Sequence, residues 1–425
     1  MTADAQRLAD RSINKLTLLL IFLAFSLRLA FGFAQLSKPL NDPDRYIPFA
    51  KSLWAGDGFI YNGRPTAYRP PLYPLILAPL AGILGEAAPF RIALILVQSA
   101  MGAATTLLAI KTAEKIAIKS HNPIVSGYIA GIFTAFDPVL LSQAAQPMTE
   151  TLAALLLTAS LARFSQDRYF SAGFLSGLGA LCRPSLLACT TLIILAILWS
   201  CRNSIKIGLH RITAVSIPLL IVIAPWAVRN YYAIGWPVFT TTHGGYTFAL
   251  ANNPVYYEEV LHGPAGTVWS GARQQAWFDS IGPSVKGLSE HEMDQSLKSR
   301  TWAFVREHPV DFFRATIQRQ LHFWSIAPSG QVYGPIVRYT CIVWTLPFWV
   351  LAATGLFSRQ CKSLPGLAAL AVIAGLAGVH LIYWTDIRMR APIIPALAIV
   401  AGQSWFVSEI CNRLSQLSRN DVNKL

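Results

Sequence analysis

Charged side chains are scarce in this 425-residue sequence: Asp, Glu, Lys and Arg make up 13% of it, against 53% hydrophobic residues. A soluble domain carries about a quarter charged residues, so this composition, with a mean hydropathy of +0.44, excludes an ordinary soluble protein. The six cysteines show no paired spacing, which argues against a disulfide framework or a zinc site. Internal repeats and low-complexity tracts are also missing. The sequence therefore predicts a polytopic membrane protein.

Acidic residues are fewer than basic ones, 21 against 35, which gives a formal net charge of +14. The Lys and Arg residues lie in short blocks between apolar runs, as the positive-inside rule expects of cytoplasmic loops. We therefore expect no nucleic-acid partner. Arg7, Arg11 and Lys15 precede the first apolar run and predict a cytoplasmic N-terminus. No small-residue cleavage site follows that run, so it is interpreted as a retained anchor.

The apolar runs predict an all-α protein with about ten transmembrane helices. The predicted spans are 16–36, 90–112, 124–146, 149–164, a hairpin of two short arms at 170–182 and 184–200, 212–229, 336–357, 365–384 and 391–410. The segment 71–86 contains three prolines and is interpreted as a re-entrant or surface helix. Together these form one transmembrane domain, residues 1–410, with outer loops at 37–89 and 230–335. The remaining residues, 411–425, form a predicted cytoplasmic tail.

The first outer loop contains the chemically most informative residues. It reads NDPDRYIPFAKSLWAGDGFIYNGRPTAYRPPLYP from Asn41 to Pro74, with Asp42 and Asp44 near its start and Arg69 near its end. A solvated loop that turns at Pro43 is the plain alternative. In the large outer loop, 230–335, two amphipathic helices separated by Pro309 are predicted, and a lone His243 is interpreted as a solvated or hydrogen-bonded residue.

The runs DPDRYIPFAKSLWAGDGF and PTAYRPPLYPLILAPL resemble the first extracytoplasmic loop of GT-C superfamily polyprenyl-phosphate-dependent glycosyltransferases. The branch concerned contains the protein O-mannosyltransferases and the lipid A aminoarabinose transferase. Glu150, Arg183 and the segments 225–239 and 388–399 occupy similar places in that family's pattern. The resemblance implies a membrane glycosyltransferase of GT-C-like fold whose donor is a polyprenyl-phosphate-linked sugar.

The resemblance also implies roles for the loop residues. Asp42 stands four residues before Tyr46, so it matches the family's general base or substrate ligand, and Tyr46 counts as substrate-binding. Pro43 occupies the place of the family's second acid. Asp44, one residue later, is therefore an alternative base, or a residue that orients the acceptor or a metal. No cofactor is certain, and a divalent metal ion stays optional.

A phosphate leaving group needs positive charge, and Arg can grip phosphate oxygens in pairs. Arg69, Arg183, Arg388 and Arg390 are the candidates, although Arg388 and Arg390 also suit anchoring to lipid headgroups. Glu150 is either a ligand for the acceptor, a metal or an arginine, and so a candidate substrate-binding residue, or a favourable first-turn acid of its helix.

A transporter or flippase of lipid-linked saccharides is the main alternative, and a non-catalytic scaffold is another. Transporters often place charges near the membrane midplane in two related halves, whereas here the acids gather in outer loops and no half-repeat is visible. Among enzymes, a surface-polysaccharide polymerase or ligase is the near rival. The predicted location is the inner (plasma) membrane, with both termini cytoplasmic and the site extracytoplasmic. The sequence leaves open the sugar, the acceptor (protein, lipid or glycan) and the oligomeric state.

Overall fold

The computed structural model describes residues 14–119, 122–264, 266–406 and 409. This part of the chain is almost entirely helical, and its β-structure is one antiparallel hairpin that pairs Ile60–Tyr61 with Arg64–Pro65. The all-α prediction is confirmed. The predicted tail at 411–425 and the basic residues Arg7 and Arg11 lie outside the described residues.

The apolar runs of the sequence form a bundle of long and short helices. In the described part of the chain, five segments are long and apolar enough to cross a membrane: Lys15–Ala34, Ala88–Ile116, Pro123–Ala145, Ile205–Ile234 and Pro335–Leu356. Shorter apolar helices are Leu72–Leu84, Tyr169–Cys182, Leu186–Ser200 and Leu364–Val379. Glu150–Phe164 and Ile394–Ala401 are mostly buried within the bundle. The polytopic membrane architecture is confirmed, while the count of ten spans stays a prediction.

The predicted hairpin at 170–200 is present, because the chain breaks between Tyr169–Cys182 and Leu186–Ser200. Arg183 is extended, with φ −144° and ψ 113°, as expected for a residue that precedes a proline. The first arm packs closely on Ile205–Ile234, since a Cβ at Gly173 would lie 2.0 Å from the carbonyl oxygen of Val215. The break thus places Arg183 at the C-cap of the first arm, where its N–H still donates to the carbonyl oxygen of Gly179 at 2.8 Å.

The first outer loop has more structure than its sequence suggests. Asp42–Arg45 forms a turn, and the first-loop helix, Tyr46–Ala55, follows it. The β-hairpin comes next, and the helix Leu72–Leu84 ends the loop. At 13 residues this last helix is about 20 Å long, shorter than the ~30 Å hydrocarbon core. Such a length fits the predicted re-entrant or surface element.

The large outer loop contains the two predicted amphipathic helices, Glu290–Glu307 and Pro309–Phe323. The first begins with a capping box in which Ser289 and Glu292 satisfy each other's backbone N–H groups. Pro309 opens the second helix, where its missing N–H costs nothing. Three further helical segments precede this pair: Gly244–Ala251, Pro254–Leu261 and Ala272–Ser284.

Connections between the helices alternate between two ends of the bundle. One end, here called the site end, collects the segments 35–71, 146–149, 183–185, 235–334 and 380–393. Hydrogen bonds join these segments across long sequence separations, for example from Thr242 N to the carbonyl oxygen of Ala67 at 3.1 Å. Arg319, fully buried, likewise donates to the carbonyl oxygens of Ala251 and Leu381. The outer loops of the sequence therefore form one connected surface.

Candidate active site at one end of the bundle

Asp42 lies at the start of the first-loop helix and caps its first turn. The N–H of Tyr46 donates to Oδ1 at 3.0 Å and the N–H of Ile47 donates to Oδ2 at 2.9 Å. Arg45 adopts a left-handed backbone, φ 57°, which bends the chain so that Asp42 reaches these donors. Partial burial raises the pKa of the Asp42 carboxyl, although the two backbone donors oppose the rise. The carboxylate is thus oriented by the backbone and made more basic by its surroundings.

Asp44 pairs with Arg69 from the other end of the same loop. Arg69 Nη2 lies 2.9 Å from Asp44 Oδ1, with 15% and 25% of the two side chains exposed. The guanidinium also lies 6.0 Å from the ring centroid of Tyr46 and 5.2 Å from that of Tyr68. Burial opposes the charged form, but Asp44 and the surrounding tyrosines outweigh it and raise the pKa of Arg69. Arg69 Nε is buried without an acceptor among the described residues.

Glu150 and Arg183 form a second ion pair, from two different helices. Arg183 Nη1 lies 2.9 Å from Glu150 Oε1, and the Glu150 side chain is 1% exposed. Arg183 therefore engages Oε1, whereas Oε2 of Glu150 has no hydrogen-bond donor in the part of the chain that the structure describes. Arg183 also contacts Thr149 Oγ1 at 3.4 Å and Met389 Sδ at 3.0 Å. This pair therefore joins three of the segments at the site end.

Two tyrosines connect the ion pairs. The Tyr46 and Tyr73 rings meet edge to face, with centroids 5.2 Å apart. The charges of Arg69 and Arg183 both act on the Tyr46 phenol, and those of Glu150 and Asp42 both act on the Tyr73 phenol. Because burial disfavours the ionised phenolate, the pKa of each phenol rises. The sequence-predicted residues Asp42, Asp44, Tyr46, Arg69, Glu150 and Arg183 thus form one cluster.

The large outer loop holds the first loop in place through Glu290. Its carboxylate accepts hydrogen bonds from Thr66 Oγ1 at 2.5 Å, from Ala67 N at 2.9 Å and from Thr242 Oγ1. Arg229 supports the residues that flank the β-hairpin by donating to the carbonyl oxygens of Thr66 and Phe59. Glu290 thereby fixes the backbone two residues before Arg69.

His243 lies beside the Arg69 side of the cluster. Its ring packs against Tyr68, with centroids 4.3 Å apart, and against Tyr246 at 4.9 Å. Burial, and then the positive charge of Arg69, lower the pKa of His243 well below its usual value. The ring is therefore neutral at pH 7. Nδ1 is buried and meets no hydrogen-bond partner within the described ranges.

The two remaining candidate arginines contact other groups. Arg390 is fully buried and donates from Nη1 to the carbonyl oxygens of Phe323 and Ser325, at 3.0 and 2.5 Å. It thereby joins the last helix to the end of Pro309–Phe323. Arg388 is more exposed, with Nε 3.9 Å from Asp386 Oδ2 and its guanidinium 5.9 Å from the Trp384 ring. Within the described residues, neither arginine forms an ion pair or hydrogen bond with Asp42 or Asp44.

A divalent metal ion finds no ready set of ligands here. Among the described residues, no three His, Cys, Asp or Glu side chains lie close enough together to hold one. Asp42 already accepts two backbone N–H groups, and Asp44 faces a guanidinium. A divalent metal ion at this site stays a prediction.

No protein-family model matches this chain, and no curated protein sequence matches it. Several solved structures are similar to it. ArnT from Cupriavidus metallidurans in the apo state is similar with a TM-score of 0.53 and 14% identity, over 90% of this chain and 58% of that one. The archaeal oligosaccharyltransferase AglB from Archaeoglobus fulgidus, solved with an inhibitory peptide and a dolichol-phosphate, gives a TM-score of 0.52 and 12% identity, over 97% and 52%. The fold is of the GT-C type.

The resemblance inferred from the sequence is confirmed at the level of this GT-C fold. A second structure of the Archaeoglobus fulgidus oligosaccharyltransferase, tethered to an acceptor peptide, is similar with a TM-score of 0.53 and 13% identity, over 91% of this chain and 49% of that one. The chain spans about half the length of these solved proteins. At such identities the similarity establishes the architecture, and the chemistry must be argued from the residues of this chain.

Sequence reasoning missed Tyr73 and Glu290, and it did not place His243. Tyr73 stands two residues after the Pro70–Pro71 pair, so its place at the start of a helix close to Arg69 in sequence was a usable signal. Glu290 looked like an ordinary first-turn acid of an amphipathic helix. Only the contact between two loops more than 220 residues apart in sequence reveals its role.

Proposed function

We propose that this protein is a membrane glycosyltransferase that moves a sugar from a polyprenyl-phosphate donor to an acceptor hydroxyl or amine, with Asp42 as the general base. The observation that carries the proposal is the cluster of Asp42, Asp44–Arg69 and Glu150–Arg183 at one end of an apolar bundle of GT-C fold. It combines a base, two guanidinium groups and an adjacent lipid phase, which are the parts that transfer from a lipid phosphate requires.

The two first-loop carboxylates suit different roles. Asp44 is paired with Arg69, which makes it the residue that orients the guanidinium. Each oxygen of Asp42 accepts one backbone N–H, and a carboxylate oxygen keeps a second lone pair. The raised pKa of Asp42 brings its basicity closer to working pH. These features favour Asp42 over Asp44 as the base.

The reaction is an inverting single displacement. The acceptor atom attacks C1 of the sugar while Asp42 takes its proton, and the bond from C1 to the phosphate oxygen breaks with its electron pair going to the phosphate. The polyprenyl phosphate leaves with the extra negative charge, which Arg69 stabilises. Arg183 is the second candidate for that task, although Glu150 occupies it in the absence of ligand.

The transporter alternative draws on one observation, the buried Arg28 within the first span. Its Nη atoms donate to the carbonyl oxygens of Ala24, Thr134 and Ala135, where the helix Pro123–Phe136 ends. Because Arg28 satisfies carbonyl groups at a helix end, its burial has a structural explanation. The cluster at the site end is therefore stronger evidence for a glycosyltransferase than Arg28 is for a transporter.

The test compares Arg69→Lys and Arg69→Ala in the same membrane preparation. The donor is the lipid-linked sugar that co-purifies with the protein, identified by mass spectrometry, and its consumption is followed in the presence of native acceptor. Lys keeps the charge and the Asp44 pair but loses the two-pronged geometry. We expect the rate to fall about tenfold for Lys, equivalent to ~1.4 kcal/mol, and further for Ala.

Arg64→Ala is the matched control, because Arg64 is an exposed arginine of the same loop. It should keep the wild-type rate. Wild-type rates in both Arg69 variants would place the phosphate site elsewhere. A wild-type protein that moves the lipid-linked sugar across vesicle membranes without consuming it would favour the flippase.

A further inference from the structure

Tyr73 holds the most buried phenol of the cluster. It is the second residue of the helix Leu72–Leu84 and 2% exposed. Its hydroxyl is buried and has no hydrogen-bond partner in the described part of the chain. A buried hydroxyl without a partner costs about 1–3 kcal/mol, so such an atom in a folded protein calls for a ligand or a bound water.

An unpaired acceptor belongs to the same cluster as this unpaired hydroxyl. Glu150, whose charge acts on the Tyr73 phenol, has its Oε1 2.9 Å from Arg183 Nη1. Its Oε2 has no hydrogen-bond partner in those same ranges. The fully buried Cys182 does not fill the gap, because its thiol points to the carbonyl oxygen of Thr149. One phenol O–H and one carboxylate oxygen of this cluster are therefore buried without a hydrogen-bond partner among the described residues.

A hydroxyl group is the complementary ligand, because it can accept from the phenol and donate to the carboxylate at once. We propose that Tyr73 and Glu150 bind a hydroxyl of the sugar carried by the lipid donor, which makes Tyr73 a substrate-binding residue. This inference rests on the proposed function. It adds a sugar subsite to the phosphate site.

The placement of Tyr73 favours the sugar over other parts of the donor. Tyr46 touches Arg69 through one contact and Tyr73 through another, so the subsite lies one ring away from the proposed phosphate ligand. In a polyprenyl-phosphate sugar, the sugar is bonded directly to the phosphate. The isoprenoid, which has no polar atoms, gains nothing from an unpaired phenol and carboxylate.

The experiment measures binding with two kinds of probe. Undecaprenyl phosphate is compared with undecaprenyl phosphoglucose and undecaprenyl phosphomannose, using the purified full chain in one detergent, by thermal stabilisation and by Kd. Wild type should bind at least one sugar-carrying lipid more tightly than the bare lipid. In Tyr73→Phe the Kd of that lipid should rise about fivefold to tenfold, the value of one hydrogen bond. Its Kd for bare lipid should not change.

Stability without ligand provides a second readout. Because Tyr73→Phe removes a hydroxyl that has no partner, its melting temperature should equal or exceed that of wild type. Tyr169→Phe is the control: the Tyr169 phenol donates to Asp167 Oδ1 at 2.7 Å, far from the cluster. It should melt earlier than wild type and keep the lipid preference.

Three results would overturn the subsite. Equal Kd values of Tyr73→Phe and wild type for the sugar-carrying lipid would mean that the phenol faces only water. No preference of wild type for either sugar-carrying lipid over the bare one would remove the sugar from the site. A marked fall in the melting temperature of Tyr73→Phe would show that the hydroxyl has a structural partner. A preserved sugar preference in a protein that transfers nothing would instead refute the proposed transfer and leave the subsite standing.

Discussion

Asp42 is predicted to be the general base. Because its carboxylate also accepts two backbone hydrogen bonds, substitutions at this position can separate a loss of catalysis from a loss of stability. Asp42→Asn keeps one acceptor oxygen for the first turn of Tyr46–Ala55, whereas Asp42→Ala keeps none. At about 0.5–1.5 kcal/mol per hydrogen bond, Asn should cost about 1 kcal/mol of folding stability and Ala about 2. Removing the partly buried charge offsets part of the loss in both variants.

The loss of activity should not follow the order of the stability losses, in which Ala costs more than Asn. Both substitutions remove the only basic group at position 42, so both should lower the transfer rate by about 10²–10⁴, the usual value of general base catalysis. The assay pairs the melting temperature in detergent with the rate of donor consumption in membranes. A rate in Asp42→Asn within a factor of three of wild type would refute the assignment and move the base to Asp44. A rate that tracked the melting temperature would reduce Asp42 to a helix cap.

The pH dependence gives a further check on the same residue. Because the folded pKa of Asp42 lies above the unfolded value of about 3.9, its protonated form is favoured by folding. Its contribution to stability is therefore complete below pH ~3.9 and is lost as the pH rises through the folded pKa. The transfer rate should rise over that same interval, since only the ionised carboxylate accepts a proton. In Asp42→Asn this acidic limb of the rate profile should be absent.

Two other predictions concern the loops. Glu290→Ala removes the acceptor of Thr66, Ala67 and Thr242, so we expect a lower rate and a higher donor KM. Unchanged kinetics would mean that Arg69 is positioned without Glu290, and Glu307→Ala, at an exposed position of the same helix, is the control. Cysteines introduced at the exposed residues Ser37 and Ser270 should react with an impermeant maleimide in intact cells. A cysteine introduced at Ser204 should react only after the membrane is opened. The reverse labelling pattern would place the site in the cytoplasm.

Hydropathy predicted most of the helix positions, because lipid-facing helices need long apolar runs whatever their partners are. The break at Arg183–Pro184 was equally predictable from proline chemistry. The β-hairpin at 60–65 was not predicted, since two residues a strand are too few to show an alternating pattern. The first-loop helix was not predicted either, because its first turn is capped by Asp42, which lies outside the helix.

The candidate site was predictable in its residue types and unpredictable in its pairings. A motif can place Asp42, Asp44 and Arg69 in one loop, but which carboxylate meets the guanidinium depends on the turn at Arg45. The pairing of Glu150 with Arg183 joins different helices, and nothing local to either residue specifies it. Arg390 shows the converse, because its place in the motif suggested a phosphate ligand, whereas its hydrogen bonds go to carbonyl oxygens.

The partners of the buried arginines separate structural charges from those available to a substrate. Arg28, Arg319 and Arg390 donate to backbone carbonyl oxygens, and a substrate cannot displace these without leaving polar backbone groups unpaired. Arg69 and Arg183 face carboxylates instead. A phosphate offers the same kind of charge-assisted hydrogen bond as a carboxylate, so it can replace or share that partner. This difference in partners is the physical reason for locating the donor phosphate beside Arg69 and Arg183.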